Sequence, residues 1–123
     1  MTQDLGKETP RGRILDGKTF QYQCGCGKIY VTVNHTKAGA IREVFVTVGK
    51  SGSCMQAHAA AEGRLSSLFL RSGGHVDKLI NHLSGLSCGN SKQATDDFPA
   101  ILSCPSILEL ALKDAIEELK ETK

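Results

Sequence analysis

Cysteines are the residues of this sequence most able to do chemistry, because thiolates bind zinc, exchange electrons and act as nucleophiles. The 123-residue chain carries five of them. No stretch approaches the ~20 apolar residues of a membrane span, and the polar N-terminus has no signal-peptide core. We therefore expect a cytoplasmic protein without membrane contact, where thiols stay reduced. An odd cysteine count then indicates metal ligands or free thiols rather than a disulfide framework. The cysteines are Cys24, Cys26, Cys54, Cys88 and Cys104.

Each cysteine lies where the sequence pattern predicts that an element ends. Cys24 and Cys26 lie at the turn between two predicted strands, Cys54 and Cys104 open predicted helices, and Cys88 follows another helix. Ligands at the ends of rigid elements can converge on one point. Zinc takes four thiolates at about 2.3 Å in a tetrahedron. This placement favours a structural zinc site, which would stabilise a small domain.

The spacing alone leaves other interpretations open, because it is not the paired C-x-x-C of a zinc ribbon. Several of the cysteines can equally be buried structural residues. Cys24 and Cys26, or Cys54 with Cys104, can instead form a redox dithiol. A helix N-terminus favours the thiolate of Cys54 and of Cys104 for either chemistry. His58, one turn after Cys54, is an alternative metal ligand.

Hydrophobic periodicity predicts the elements that must position these residues. Alternating apolar and polar residues predict strands at 18–24, 28–34 and 41–48, joined as an antiparallel meander. Helices are predicted at 54–71, at 75–83, and from Cys104-Pro105 onward, with proline in its usual first-turn position. The expected fold is α+β, a single domain with a three-stranded antiparallel sheet followed by three helices. We expect residues 1–17 to be a flexible lead-in and residues 18–120 to form the domain.

The first predicted helix carries a narrow apolar stripe at helical spacing. Ala57, Ala61, Leu65 and Leu68 form this stripe, which we expect to be buried. Gly63 costs such a helix about 1 kcal/mol relative to alanine. Its presence therefore predicts that another stretch of backbone comes close to the helix at this point.

The segment 49–53 joins the third strand to the first helix and is a weak candidate for anion binding. Backbone N–H groups, a lysine and the helix dipole can together hold a phosphate, with Arg64 or Arg71 nearby on the helix. The segment is not a Walker A loop, since the upstream glycine spacing is missing, and it can simply be a tight turn that places Cys54. A net charge near +2, with acids and bases interspersed, argues against a dedicated nucleic-acid binder but allows a local basic patch. The candidate residues are Lys50, Ser51, Gly52 and Ser53.

Short motifs follow one another in a fixed order along the chain. The motifs are Cys26-Gly27-Lys28-Ile29-Tyr30-Val31-Thr32-Val33-Asn34, Gly49-Lys50-Ser51-Gly52-Ser53-Cys54, Gly63-Arg64-Leu65 with Leu70-Arg71-Ser72-Gly73, Leu83-Ser84-Gly85-Leu86-Ser87-Cys88 and Ser103-Cys104-Pro105. This ordered series resembles the TSCPD domain, the C-terminal domain of adenosylcobalamin-dependent (class II) ribonucleotide reductases. Small free-standing proteins also carry this domain. The similarity covers roughly residues 20–119, and the ordered series is more specific than any one motif.

The resemblance implies which thiols act together. The four cysteines of the family fall on Cys26, Cys54, Cys88 and Cys104, as ligands of a structural Zn²⁺, and Cys24 becomes an extra thiol. The name-giving Thr-Ser-Cys-Pro-Asp is Leu-Ser-Cys-Pro-Ser here, so both end residues differ from the family pattern.

The resemblance also implies a function. We expect an accessory or binding module of deoxyribonucleotide biosynthesis, with ribonucleotide reductase or another enzyme as protein partner. No catalytic residue is expected, because the catalytic barrel of the reductase cannot fit in this chain. A thiol redox protein that passes electrons to a partner is one alternative. A binder of nucleotide or nucleic-acid phosphates through the segment 49–53 is another.

Overall fold

Three strands precede three helices along the chain. The computed structural model describes residues 12–24, 27–48, 54–86 and 104–121. The predicted α+β single domain, with a three-stranded antiparallel sheet followed by three helices, is confirmed. Strand β1 starts two residues earlier than predicted, and helix α2 starts one residue later. The elements are β1 (Asp16–Cys24), β2 (Gly27–His35), β3 (Ile41–Val48), α1 (Cys54–Arg71), α2 (Val76–Leu83) and α3 (Cys104–Glu121).

The sheet has the order β1-β2-β3, and both pairs of strands are antiparallel. Phe20 pairs with Val31 and Val31 pairs with Val46, so apolar side chains of the three strands share one face. This inner face is covered by helices. The opposite face, here named the open face, carries Thr19, Gln21, Gln23, Lys28, Tyr30, Thr32, Asn34, Glu43, Phe45 and Thr47, as the alternation along each strand requires.

Helix α3 supplies most of the helical side of the core. Its residues Ile107, Leu108, Ala111 and Leu112 are fully buried. They pack with the valines and Ile29 of the inner face in one aliphatic cluster. Helix α2 contributes Ile80, which is buried in the same cluster. The core therefore lies between the inner face of the sheet and the helices α2 and α3.

Helix α1 lies along the outer edge of β3 and satisfies the hydrogen-bonding groups of that edge. The Val44 N–H donates to Ser67 Oγ at 2.9 Å, and the Ser67 hydroxyl donates to the Val44 carbonyl at 3.1 Å. The Val48 N–H donates to Gln56 Oε1 at 2.9 Å. A Cβ atom at Gly63 would lie 3.0 Å from the Val44 carbonyl oxygen. Gly63 thus marks a close approach between two backbones, as predicted.

The predicted buried stripe of α1 is wrong. Leu65 is 66% exposed and Leu68 is 43% exposed, and the alanines of the stripe are exposed too. The physical reason is that α1 packs against the backbone edge of a strand rather than against a layer of apolar side chains. Small and hydroxyl-bearing residues permit that close approach, and the larger leucines are left outside. The residues of α1 that are buried are Ala59, Gly63, Ser66, Ser67 and Leu70.

The length and apolar character of the described helices determine whether any of them could cross a membrane. None of them combines the length and the apolar character that a membrane span requires.

Candidate metal centre

Three of the five cysteines lie at ends of the described elements. Strand β1 ends at Cys24, helix α1 begins at Cys54, and helix α3 begins at Cys104. Cys26 and Cys88 lie outside the described residues. The prediction that Cys26, Cys54, Cys88 and Cys104 are metal ligands stays a prediction. The anion-binding segment, with Lys50, Ser51, Gly52 and Ser53, also lies outside the described residues.

The end of β1, the start of β2 and the end of β3 lie together at one end of the sheet. Cys24 pairs with Gly27, and Val48 pairs with Ile29, only two residues into β2. The first turn of α1 lies at the same place, because Gln56 accepts the hydrogen bond from the Val48 N–H. Cys54 is two residues before Gln56. We name this region the cysteine end of the domain.

Helix α3 points its N-terminus toward the same region. Tyr22 Oη donates to Asp114 Oδ2 at 2.5 Å, and Lys18 Nζ contacts Glu118 Oε2 at 2.5 Å. Moving along β1 from Lys18 to Tyr22 thus moves along α3 from residue 118 back to residue 114. The strand approaches Cys24 in this direction while the helix approaches its own first residue, Cys104. The two elements are therefore antiparallel, and both of these ends lie toward the cysteine end.

The two helix N-termini at the cysteine end have an electrostatic character that suits thiolates. Neither α1 nor α3 has an acidic residue in its first turn. The positive end of each helix dipole is therefore not offset by a carboxylate in the first turn of the same helix. Such a field lowers the pKa of a nearby thiol and favours the form that binds metal. The same field would assist a redox thiol.

Among the described residues, the cysteine end included, no three His, Cys, Asp or Glu side chains come close enough together to hold a metal ion. His58, the alternative ligand, is an exposed residue of α1. Burial raises the pKa of the Glu62 carboxyl, and the nearby charge of His58 partly opposes this shift.

Four side chains that orient the cysteine-bearing elements were not anticipated from the sequence. Gln56 and Ser67 hold α1 on β3, and Tyr22 and Asp114 join β1 to α3. Asp114 belongs to the charged face of α3. That face is exposed, yet it also bonds to β1. For two of these side chains the sequence does contain a signal. Gln56 and Ser67 are polar residues that lie on the same side of α1 as Gly63, the side that approaches β3.

Comparisons with known proteins identify the family. The sequence profile of the TSCPD domain matches residues 6–116, which is most of the chain. No curated protein sequence and no solved structure matches the chain. The profile spans the sheet, helices α1 and α2 and most of α3, and it includes all five cysteine positions. The chain belongs to the TSCPD domain family.

Proposed function

We propose that this protein is a zinc-stabilised accessory module in which Cys26, Cys54, Cys88 and Cys104 bind one structural zinc ion. The observation that supports the proposal best is the common location of three cysteine-bearing ends. Helices α1 and α3 both direct their N-termini toward the end of the sheet where β1 stops. Gly27, the residue that follows Cys26 in the sequence, is the first residue of β2 and pairs with Cys24 at this end.

A metal at the cysteine end has a clear structural purpose. Helix α1 lies along the edge of the sheet and α3 lies on its inner face, so the two helices pack against different surfaces. A shared ion would join their first residues to each other and to the β1–β2 hairpin. It would also anchor the long segment that precedes Cys104. The binding free energy of such an ion adds directly to folding stability, which matters in a domain whose core is small and aliphatic.

The proposed role as an accessory module follows from the family. The TSCPD domain is related to ribonucleotide reductase. We propose that the protein acts through a protein partner, with a reductase as the first candidate.

Metal analysis of the purified full-length protein tests the proposal. We expect one zinc ion per chain and little iron. A thiol reagent should react at once with Cys24 alone and with the remaining four cysteines only after chelation. Substoichiometric metal together with five freely reacting thiols would refute the zinc site. Detection of iron together with acid-labile sulfide would indicate an iron–sulfur cluster, rather than zinc, on the same four thiolates.

Two cysteine variants separate the zinc site from the redox alternative. Cys104→Ser should lose the metal and should melt at a lower temperature than the parent, because a ligand has been removed. Cys24→Ser is the matched control and should keep both the zinc content and the melting temperature. A redox role through Cys24 predicts a different result. The parent protein would contain a dithiol that can be oxidised and reduced repeatedly, and Cys24→Ser would abolish this redox activity.

A further inference from the structure

The open face of the sheet carries two aromatic rings that remain partly exposed beside the described helices. Tyr30 on β2 is 38% exposed, and Phe45 on β3 is 51% exposed. Tyr30 pairs with Thr47, and Phe45 pairs with Thr32. The two rings are therefore diagonal neighbours on one face, a relation that places them about 7 Å apart. Rings held on neighbouring strands in this way form a rigid platform.

Cationic side chains lie on both sides of this platform. Lys28 also lies on the open face, two residues before Tyr30 on β2. On the other side, Arg64 and Arg71 of α1 line a groove of about 510 Å³ together with Phe45. The position of α1 along the edge of β3 is what brings these arginines beside the sheet.

Acidic groups contribute little to the same surface. Among the described residues, Glu43 is the one carboxylate on the open face or in the groove. Glu43 is 2% exposed and accepts a hydrogen bond of 2.7 Å from Asn34 Nδ2. Its charge is thus internally bonded, while Lys28 and Arg64 face solvent. The accessible charge of the open face is positive, although the whole chain is close to neutral.

The chemistry around the rings distinguishes nucleic acid from a protein as the occupant. A protein interface has an apolar centre and is depleted in lysine. The cross-strand partners of Tyr30 and Phe45 on the open face are instead Gln21, Thr47 and Thr32, and amide and hydroxyl groups of this kind can pair with base edges. Bases stack on exposed aromatic rings whatever their sequence, and cations follow the phosphate backbone. Cations on both sides of two neighbouring rings match a short run of unpaired nucleotides.

We infer that the open face binds single-stranded nucleic acid, with bases stacked on Tyr30 and Phe45 and phosphates held by Lys28 and Arg64. This site differs from the segment 49–53 that the sequence suggested for phosphate binding. It is also independent of the proposed zinc site, which lies at the cysteine end rather than on the open face.

Fluorescence anisotropy with a labelled oligo-uridine of about 15 nucleotides tests the stacking platform on the full-length, metal-loaded protein. Phe45→Ala and Tyr30→Ala should each weaken binding by about tenfold, the typical loss for one stacked base. Leu65→Ala is the matched control, because it removes a similarly exposed apolar side chain of α1 outside the groove. It should bind like the parent. Thermal melting confirms that all three variants are folded.

A second arm tests the charges through the dependence of affinity on salt. Arg64→Gln should reduce the slope of log affinity against log salt by about 0.7, the value for one phosphate contact with a single strand. Arg42→Gln is the control, since Arg42 lines a cavity with Ile116 and Leu119 on the helix-covered side. The inference is overturned if the parent shows no binding at low salt. It is also overturned if Phe45→Ala binds like the parent, if both arginine variants lose affinity equally, or if a duplex binds more tightly.

Discussion

Replacement of Gly63 by alanine sets two known effects against each other in one position. Glycine is the poorest helix former after proline, so Gly63→Ala should stabilise α1 by about 1 kcal/mol on propensity alone. The new Cβ, however, would lie 3.0 Å from the Val44 carbonyl oxygen and 3.4 Å from the Val46 nitrogen. Both neighbours are backbone atoms of a paired strand, which cannot rotate away as a side chain can.

The helix would have to move by a few tenths of an ångström to relieve this contact. Such a movement would strain the two Ser67–Val44 hydrogen bonds and the Gln56–Val48 bond that fix α1 on the strand. Inserting a methyl group into a well-packed contact typically costs about 1–3 kcal/mol. Taking about 2 kcal/mol for this cost and subtracting the propensity gain, we expect a net loss of about 1 kcal/mol. That loss corresponds to a melting temperature lower by about 4 °C.

Urea unfolding followed by circular dichroism measures the effect, and a second variant isolates the propensity contribution. Ala61→Gly lies two residues away on the exposed side of α1 and should lose about 1 kcal/mol, because it changes propensity without touching β3. If Gly63→Ala instead gains as much stability as Ala61→Gly loses, the close approach of α1 to β3 does not constrain position 63. That result would refute the proposed reason for the glycine.

Two further predictions concern the bonds that hold the elements together. Ser67→Ala should lower the free energy of unfolding in urea by about 1–3 kcal/mol, because it leaves buried Val44 backbone groups without their partner. Ser84→Ala is the control, since Ser84 is exposed. An equally small loss of stability in both variants would contradict this prediction. Burial, followed by the hydrogen bond to Asp114 and its charge, raises the pKa of Tyr22. The neutral phenol is thus favoured in the folded state, and stability is lost as the pH rises above the unfolded value of about 10. Tyr22→Phe should lack this part of the alkaline loss, and identical pH profiles would contradict the shift.

The sequence was sufficient to predict the order and type of the elements, and the reasons are local. Valines at every second position of β2 and β3 are typical of a strand with one buried face. The start of α3 at Cys104-Pro105 follows from the restricted backbone of proline. The close contact at Gly63 was also predictable, because a glycine inside an alanine-rich helix lowers helix stability and therefore indicates that another group lies close by.

The face that α1 buries was not predictable from periodicity. The stripe of Ala57, Ala61, Leu65 and Leu68 has the spacing of a buried face, and burial of apolar side chains is the usual result. The structure instead places small and hydroxyl-bearing residues against a strand edge, and a helix that packs on backbone groups reverses the usual pattern. Periodicity detects which side of a helix is apolar, but it does not reveal whether the neighbouring surface is made of side chains or of backbone.

The candidate metal centre was predictable in part. The positions of Cys54 and Cys104 at helix starts followed from the sequence. That both helix starts lie at the same end of the domain depends on the direction in which α3 crosses β1. This direction is fixed by contacts between residues far apart in the chain, such as Tyr22–Asp114. No local pattern contains that information.

The helix along β3 also limits how copies of this protein can associate. A sheet with two free edges can add strands at both, so that chains join without end into fibres. In the part of the chain that the structure describes, α1 occupies one edge, and Ser67 and Gln56 use the outward-facing groups of Val44 and Val48. Among the three described strands, the edge of β1 is then the one left for a strand from another copy. Pairing through β1 would consume that edge in both partners, so assembly by strand addition would stop at a pair.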